Sequence, residues 1–292
     1  MRADHVLPRL LAGPPLDGRM ERFHDHLARL GPLPGVEDPS AIVGSLEESG
    51  LLGRGGAGFP VGRKWRALAE RRDGEAVVVA NGAEGEVASW KDRVLMTARP
   101  HLVLDGAELA AAAIGATEIV VYVGSEHGSA VTAMRNALIE RPPAARRLIR
   151  LVTPPISYVA GEASAAVHYI NRGDARPTAT PPRPSQHGVR GRPTLVQNVE
   201  SLAYAALIAR YGEHWYRSAG RFGSRGTALV TLSGVGAADG VREIELGTTV
   251  GEVAEAAGAR RDATRAVILG GYFGTWAHAE DCLLYTSPSP RD

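Results

Sequence analysis

Short apolar runs alternate with longer helical patterns through the first half of this 292-residue chain. Residues 76–80 read AVVVA, and further strand candidates cover 118–123 and 147–152. An apolar, mostly β-branched run of this kind is typical of a strand that is buried on both faces. Helical patterns at 101–113 and 130–139 lie between the strand candidates. This order predicts an α/β fold with a largely parallel sheet.

The pattern changes after residue 222, where short strands follow one another with a single helical segment between them. Glycines at 234, 240 and 247 mark the turns. The order strand, strand, helix, strand predicts a small α+β module behind the α/β domain. Its predicted elements are strands at 227–232, 241–245 and 266–269 and a helix at 250–257.

The remaining segments complete a division of the chain into domains. Residues 1–38 are rich in Pro, Gly and Arg and predict an extended, partly ordered segment. We assign 39–222 to the α/β domain and 226–281 to the small module. Within the α/β domain, we further predict helices at 39–48, 64–71 and 198–211 and an irregular ordered loop at 172–194.

The charge and hydropathy of the chain exclude several classes of protein. The formal net charge is +1, which gives no basic excess for binding nucleic acid or an anionic membrane. The most apolar stretch, 102–123, carries Asp105, Glu108 and Glu118, so it does not predict a membrane span. The first residues show no apolar run typical of a signal peptide. We therefore predict a cytoplasmic protein that reaches a membrane only through partner subunits.

The last eleven residues, 282–292, read CLLYTSPSPRD and include the only cysteine, Cys282. Back-translation with permitted codons gives a DNA string similar to the end of a sequencing adapter, so we leave this segment out of the fold prediction. The alternative is a natural Ser/Pro-rich tail. Without it, the chain ends near Asp281 and holds no cysteine to ligate an iron–sulfur cluster or zinc.

The strongest local motif is a glycine loop, in which four glycines fall within residues 53–58. Such a loop before a helix lets backbone N–H groups approach an anion, and Lys64 follows about one turn into that helix. The alternative is a loop that only makes a tight turn. Lys64 and Lys91 are the only lysines among 33 basic residues, which is either chance or a preference for a compact ammonium at these positions.

A second motif, Asn81-Gly82-Ala83-Glu84-Gly85-Glu86, directly follows the first strand. Polar groups at the carboxyl end of a parallel strand lie where α/β sheets bind ligands. Glu84 and Glu86 are therefore candidates to accept hydrogen bonds from a flavin ring or a nicotinamide ribose, whereas the alternative is a solvated acidic turn. Lys91-Asp92-Arg93 is predicted to be structural, with Asp92 paired to a neighbouring base.

Together with other segments, these motifs resemble the flavin-binding F subunit of respiratory complex I, the NADH-quinone oxidoreductase. The similar segments occur in the order of that family between residues 51 and 202, and residues 226–276 resemble the SLBB β-grasp module that follows. Two segments, 81–84 and 196–199, also resemble the C subunit of Rnf-type ferredoxin:NAD oxidoreductases. The segments that carry the main resemblance are GRGGAGFPVGRKW, the Asn81–Glu86 run with KDR, Arg99-Pro100-His101, Tyr158–Glu162 and RPTLVQNVESL.

The resemblance implies an FMN-dependent dehydrogenase subunit. FMN would accept a hydride from NADH or NADPH and release single electrons to a 4Fe-4S cluster in a C-terminal region that this chain lacks. The partner would be an iron–sulfur or ferredoxin-like subunit, and no side chain would serve as nucleophile or base. The implied cofactor-binding residues are Gly53, Arg54, Gly55, Gly56, Gly58 and Lys64 on the phosphate side, Asn81, Glu84, Tyr158, Gly161, Glu162 and Asn198 along the flavin, Phe59 at the adenine and Glu86 at the nicotinamide.

The chain departs from the family pattern mainly in the dinucleotide half of the pocket. Ala83 and Ala163 replace acids, Ala67 replaces an aromatic residue, and Thr180 and Arg183 replace a base and an aromatic residue. One hypothesis is that Arg183 binds the 2′-phosphate of NADPH, as guanidinium groups do. The alternative function is a non-redox module that binds a ligand or partner and has lost NADH use.

Several other residues are predicted to be structural. The segment His24-Asp25-His26 is expected on the surface, because it lacks a third ligand at metal spacing. Trp65, Trp90 and Trp276 are expected to pack in the interior. The segment 270–276 is predicted to be a buried turn, and a binding loop is its alternative.

Overall fold

The computed structural model describes residues 7–71, 75–155, 157–234, 236–260 and 262–278. Within these ranges, four parallel strands form one sheet in the order β3-β2-β1-β4. The predicted α/β fold with a parallel sheet is therefore confirmed. The strands are β1 (Ala76–Asn81), β2 (Ala116–Tyr122), β3 (Ile149–Val152) and β4 (Thr194–Asn198).

Helices cover both faces of the sheet, and two short hairpins follow it. The hairpins are antiparallel and form separate two-stranded sheets, so the C-terminal part is rich in strands as predicted. The helices are α1 (Phe23–Leu30), α2 (Pro39–Ser49), α3 (Val61–Ala69), α4 (Lys91–Ala98), α5 (Pro100–Ile114), α6 (Gly128–Glu140), α7 (Pro143–Leu148), α8 (Ala163–Arg172), α9 (Val199–Arg217) and α10 (Val250–Ala256), and the hairpin strands are β5 (Thr227–Leu232), β6 (Gly240–Glu245), β7 (Ala266–Leu269) and β8 (Thr275–His278).

Strand β1 is apolar up to its last residue, Asn81, because it contributes to two hydrophobic cores. Val78 and Ala80 belong to the larger core, which also contains residues of α3, α5 and α9. Val77 and Val79 belong to the smaller core on the opposite face, together with residues of α8. Since successive side chains of a strand point to opposite faces, a strand between two helical layers cannot alternate with polar residues.

The order of the strands creates a crevice at one end of the sheet. The chain proceeds outward from β1 to β2 and β3, and then returns to place β4 on the other side of β1. Such a switch point, at the carboxyl ends of the strands, is where α/β sheets bind ligands. Asn81 and Asn198 are the last residues of β1 and β4, and they are partners in the register. The polar residues at these strand ends therefore meet in the crevice.

The structure corrects several sequence predictions. Residues 1–38 contain helix α1, and helices α4 and α8 lie in segments for which no helix was predicted. His26 is fully buried and Trp276 is 71% exposed, so both predictions for these side chains were wrong. The segment 270–276 is a short 3-10 turn that leads into β8, with Tyr272 exposed, so it is not a buried turn.

Other predicted elements are confirmed with shifted bounds. Residues 147 and 148 end α7 instead of beginning β3, and α9 continues to Arg217 beyond a break at Gly212. The domain boundaries and the assignment of 226–281 to a β-grasp module stay predictions. The end of that module and the adapter-like residues 282–292 lie outside the described residues. In the described part of the chain, no helix combines the length and apolarity that crossing a membrane requires.

The segment 9–14, which we call the N-terminal strap, is held by two distant residues. The Glu243 carboxylate on β6 accepts hydrogen bonds from the backbone N–H groups of Arg9 (2.7 Å), Leu10 (2.8 Å) and Leu11 (3.2 Å). The fully buried Arg99 guanidinium donates to the carbonyls of Leu11 and Ala12, both at 2.8 Å. The strap therefore joins the α/β sheet region to the C-terminal hairpins.

A buried group of charges, which we call the Asp105 network, fastens α1 to α5. The Asp105 carboxylate lies 2.8 Å from Nε2 of His26, 2.6 Å from Arg141 and 2.5 Å from Arg210. Burial opposes ionisation, but the His26 hydrogen bond and the two guanidinium charges outweigh it and lower the pKa of Asp105 to about 2. Burial would lower the pKa of His26, but its bonds to Asp105 and Glu21 raise it instead. This pairing explains why His26 is interior.

Candidate functional site

The glycine loop begins and ends in a short antiparallel bridge between Leu52 and Pro60. The Gly53 N–H donates to the Phe59 carbonyl at 2.9 Å and closes the loop. Gly56 (φ 115°) and Gly58 (φ 60°) have positive φ values, which favour glycine because it lacks a Cβ. The sequence places glycine here because the loop turns twice within a few residues.

The glycine loop rests on the end of β4. A Cβ added to Gly55 would lie 3.3 Å from Cβ of Asn198, so a larger side chain would press on that asparagine. The loop and Asn198 therefore form one wall of the crevice. Phe59, at the end of the loop, is 54% exposed and faces solvent.

Arg54 is bound by groups of the protein itself although it lies in the glycine loop. Its backbone N–H donates to Ser201 Oγ at 2.9 Å, and its guanidinium donates to the Tyr216 hydroxyl (3.1 Å) and the Thr227 carbonyl (3.0 Å). The residue is 2% exposed. Its N–H groups hold the glycine loop onto α9 and β5, so the role of Arg54 seen here is structural. The sequence alone did not distinguish this role from ligand binding.

Lys64 lies on α3 and its ammonium reaches the free edge of β4. Nζ donates to the carbonyl of Val196. Burial lowers the pKa of Lys64 to about 8, and no acidic neighbour counters this effect. Within the described residues, the Lys64 ammonium has no carboxylate partner. A half-buried cation without a counter-ion, close to a glycine loop, suits an anionic ligand.

The segment 158–162 packs directly on the segment that follows β1. Asn81 Nδ2 donates to the Gly161 carbonyl at 2.8 Å. A Cβ on Gly161 would lie 2.4 Å from the Ala83 carbonyl oxygen, and one on Gly85 would lie 2.1 Å from that of Tyr158. Both glycines are therefore required for this close approach. The structure brings Asn81, Tyr158 and Gly161 together, although 77 residues of sequence separate Asn81 from Tyr158.

The three predicted acids are engaged with backbone N–H groups. Glu162 caps α8 by accepting from Ser164 (2.8 Å) and Ala165 (3.0 Å). Glu84 accepts from the first turn of α4, at Asp92 and Arg93, both at 3.3 Å. These two carboxylates therefore cap helix N-termini, where the positive end of the helix dipole favours an anion.

Glu86 is the third of these acids and contacts the C-terminal hairpin. Its carboxylate accepts from the backbone N–H of Ala88 (3.1 Å) and of Tyr272 (3.0 Å), in the turn before β8. The protein itself therefore satisfies part of the hydrogen-bonding capacity of the acid predicted to meet a nicotinamide. Nothing in the sequence links Glu86 to a turn 186 residues later.

The crevice also contains a buried charge cluster that sequence reasoning found only in part. Lys91 Nζ lies 2.7 Å from Asp92 Oδ1 and 3.0 Å from Glu200 Oε2, and Asp92 Oδ2 accepts from Asn198 Nδ2 at 2.7 Å. We call Lys91, Asp92 and Glu200 the Lys91 cluster. Asp92 was predicted to pair with a base, which is confirmed, but Glu200 was missed because a glutamate in a helix is usually exposed.

The pKa values in the Lys91 cluster reflect competition between burial and charge. Burial opposes the charge on Lys91, yet the carboxylates of Asp92, Glu200 and Glu84 outweigh it and raise the pKa of the ammonium. Burial and the nearby Glu84 raise the pKa of Asp92, although Lys91 opposes this. Lys91 is therefore already neutralised, in contrast to Lys64, and only Lys64 is available for an anionic ligand.

The chain is similar to a family of known flavoprotein domains. The family described as the Nuo51 FMN-binding domain matches residues 46–206. This range contains all the predicted site residues and all four strands of the parallel sheet.

Relatives and a solved structure agree with this match. The chain is 35% identical over 248 residues to the NAD-reducing hydrogenase HoxS subunit alpha of Cupriavidus necator, covering 81% of this chain and 41% of that protein. It is 30% identical over 276 residues to the F subunit of the NADH-quinone oxidoreductase of Aquifex aeolicus, covering 87% and 65%. A crystal structure of an NAD+-reducing NiFe hydrogenase in the air-oxidized state aligns with a TM-score of 0.79 and 35% identity, covering 92% of this chain and 48% of that one. The chain thus spans 41% to 65% of the length of these relatives.

Proposed function

The chain belongs to the Nuo51 FMN-binding domain family, and from this premise we propose that it binds FMN in the crevice between β1 and β4 and oxidises a reduced nicotinamide dinucleotide. The observation that carries the proposal is Lys64, a half-buried ammonium that has no carboxylate partner among the described residues and lies beside a glycine loop. The FMN phosphate is the anion that would neutralise it.

The residues around the crevice match the chemical groups of FMN. The backbone N–H groups of the glycine loop would bind a phosphate, and Lys64 would supply the opposite charge. Asn81, Gly161 and Asn198 offer amide and carbonyl groups at the strand ends, where the edges of the flavin ring would form hydrogen bonds. Tyr158 would complete this wall, whereas Glu84 and Glu162 would act through the helices that they cap.

When bound, FMN accepts a hydride and releases electrons one at a time, and the protein supplies position and electrostatics. Phe59 is exposed at the end of the glycine loop, where an adenine ring would stack on it. The relatives named for NADH and NAD support a nicotinamide donor. The electrons would pass to an iron–sulfur cluster outside this chain, in the rest of the whole protein, and then to a partner subunit. Attachment to a membrane would then depend on such partners.

Purification of the chain with FMN tests the proposal. We expect a yellow protein whose visible flavin absorption is bleached anaerobically by NADH or NADPH. Bound flavin that neither nucleotide reduces would favour the alternative, a non-redox module of the same fold. A protein that takes up no FMN would refute the proposal at its first step.

The affinity for FMN should fall as the pH rises above about 8. In the FMN-free protein the pKa of Lys64 is about 8, and the phosphate requires the protonated ammonium. The dissociation constant should therefore be nearly constant from about pH 7 to 8 and rise by up to about tenfold per pH unit above it. Fluorescence titration from about pH 7 to 9.5 measures this. A constant affinity across the range would show that Lys64 does not meet the phosphate.

The chain should prefer NADPH to NADH because of Arg183. This residue is exposed, and within the described residues its guanidinium makes no ion pair. Its loop is joined to the end of α3 by a 3.2 Å bond from Arg71 to the Ser185 carbonyl, and α3 begins just after Phe59. We expect NADPH to bind about tenfold more tightly, and Arg183→Ala to abolish this difference. Arg176→Ala, an exposed residue paired with Asp174, serves as the control. Equal affinities in the unmodified chain would contradict the prediction.

A further inference from the structure

We propose that the Lys91 cluster positions Asn198 for the flavin and that its excess of carboxylates lowers the midpoint potential of bound FMN. The proposal rests on the proposed function, since it needs FMN in the crevice. It adds Asp92 as a positioning residue, and it adds Glu200 and Lys91 as residues that set the charge of the site. The proposal follows from the geometry of Asn198, from the burial of the cluster and from its charge.

Asn198 is fixed through both ends of its side-chain amide. Its Oδ1 accepts from the Glu200 backbone N–H at 3.0 Å, and its Nδ2 donates to Asp92 Oδ2 at 2.7 Å. Because a carboxylate only accepts hydrogen bonds, Asp92 determines which end of the amide faces it. Asp92 on α4 therefore sets the orientation of the Asn198 amide at the end of β4.

The Lys91 cluster is buried between two helix N-termini. The side chains of Glu200 and Asp92 are 1% and 5% exposed, and that of Lys91 is 15% exposed. Helices α4 and α9 both begin here, and their positive ends favour carboxylates. Buried ion pairs add little stability compared with apolar residues of similar size. Stability alone therefore does not account for a charged cluster that ends on a residue of the crevice.

Among the side chains that contact one another around Asn198, carboxylates outnumber cations. Lys91 contacts two carboxylates, and Glu84 adds a third at the N-terminus of α4. Arg54 lies 3.9 Å from Glu200 and supplies the second cation. Three carboxylates therefore face two cations. In a buried site, such an excess opposes the addition of electrons to a nearby flavin, because Coulomb energies are weakly screened there.

Variants of the cluster that change its charge in opposite directions test the proposal. Asp92→Asn and Glu200→Gln each remove one negative charge, and Lys91→Gln removes the positive charge. The measurement is the midpoint potential of FMN bound to the 292-residue chain, by spectroelectrochemical titration. Asp174→Asn, which removes a half-buried carboxylate paired with Arg176 just beyond the end of α8, is the matched control.

We expect Asp92→Asn and Glu200→Gln to raise the midpoint potential by about 30 mV, equal to a tenfold change in the relative affinities for oxidised and reduced FMN in a two-electron couple. Lys91→Gln should lower it, and Asp174→Asn should leave it unchanged. A merely structural cluster would weaken FMN binding in all three variants without shifts of opposite sign. Unchanged potentials, or shifts in one direction only, would overturn the proposal.

If one carboxylate variant does not fold, the midpoint potential of the other carboxylate variant is still compared with that of Lys91→Gln. If none of the cluster variants folds, the cluster is a stability element and the proposal is wrong. If the unmodified chain takes up no FMN, the proposed function fails instead. The two failures are therefore distinguishable.

Discussion

Replacing Lys64 with methionine should weaken FMN binding about 100-fold and leave the FMN-free protein at least as stable as the unmodified one. A charge-assisted hydrogen bond to a phosphate contributes about 1.5–3 kcal/mol, and about 2.8 kcal/mol corresponds to a 100-fold change in affinity. In the absence of ligand the half-buried ammonium has no carboxylate partner among the described residues, so its removal relieves a desolvation penalty.

The opposite effects on affinity and stability make this prediction specific. Fluorescence titration gives the dissociation constant of FMN, and urea unfolding gives the free energy of unfolding of the FMN-free protein. Arg66→Met is the matched control, since Arg66 lies on the same helix and pairs with Glu47 at 2.6 Å. A loss of stability in Lys64→Met without a loss of FMN affinity would show that Lys64 only protects the edge of β4.

Replacing Asp105 with asparagine should lower the free energy of unfolding by about 3–5 kcal/mol, which is the usual effect of breaking a buried ion pair. The change leaves the guanidinium groups of Arg141 and Arg210 without their shared carboxylate, and both side chains are 4% exposed. Chemical denaturation at about pH 6 measures the change. Asp174→Asn, in an exposed pair with Arg176, should cause no measurable change.

The Asp105 network should also shape the dependence of stability on pH. The pKa values of Asp105 and Glu21 are lowered to about 2 in the folded protein. Their contribution is therefore complete above their ordinary pKa values and is lost as the pH falls through about 4 toward 2. The pKa of His26 is raised, so its contribution is present below about 6.5 and is lost as the pH rises through the folded pKa. In Asp105→Asn, the free energy of unfolding should change less with pH, both in the acid range and above about 6.5. A pH dependence identical to that of the unmodified protein would contradict the prediction.

The sequence predicted the parallel sheet well because the signal for a buried strand is local. The run at 76–80 and the run at 118–123 needed only their own residues to be recognised. The crevice could also be anticipated, because the carboxyl ends of parallel strands lie together whatever the details of packing. The position of Asn81 and Asn198 follows from this rule.

The side chains around the crevice were harder to predict because their partners are remote in sequence. Arg54 and Glu86 lie in motifs that suggest a ligand, yet their partners lie on α9, β5 and the last hairpin. The polar sequence around His26 gave no sign that Asp105, 79 residues later, would hold it in the interior. Sequence patterns report the faces of helices and strands, whereas buried charge pairs depend on tertiary contacts.

The N-terminal strap has a consequence for the order in which the protein matures. The hydrogen bonds between residues 9–11 and Glu243 span 232 to 234 residues. A ribosome produces the strap before the parallel sheet, but the carboxylate of Glu243 emerges only after all four strands of that sheet have been synthesised. Contacts of such separation form late, because the intervening chain must be ordered first. During translation residues 9–11 therefore stay without this carboxylate partner, and accessible to chaperones and proteases, until β6 is in place.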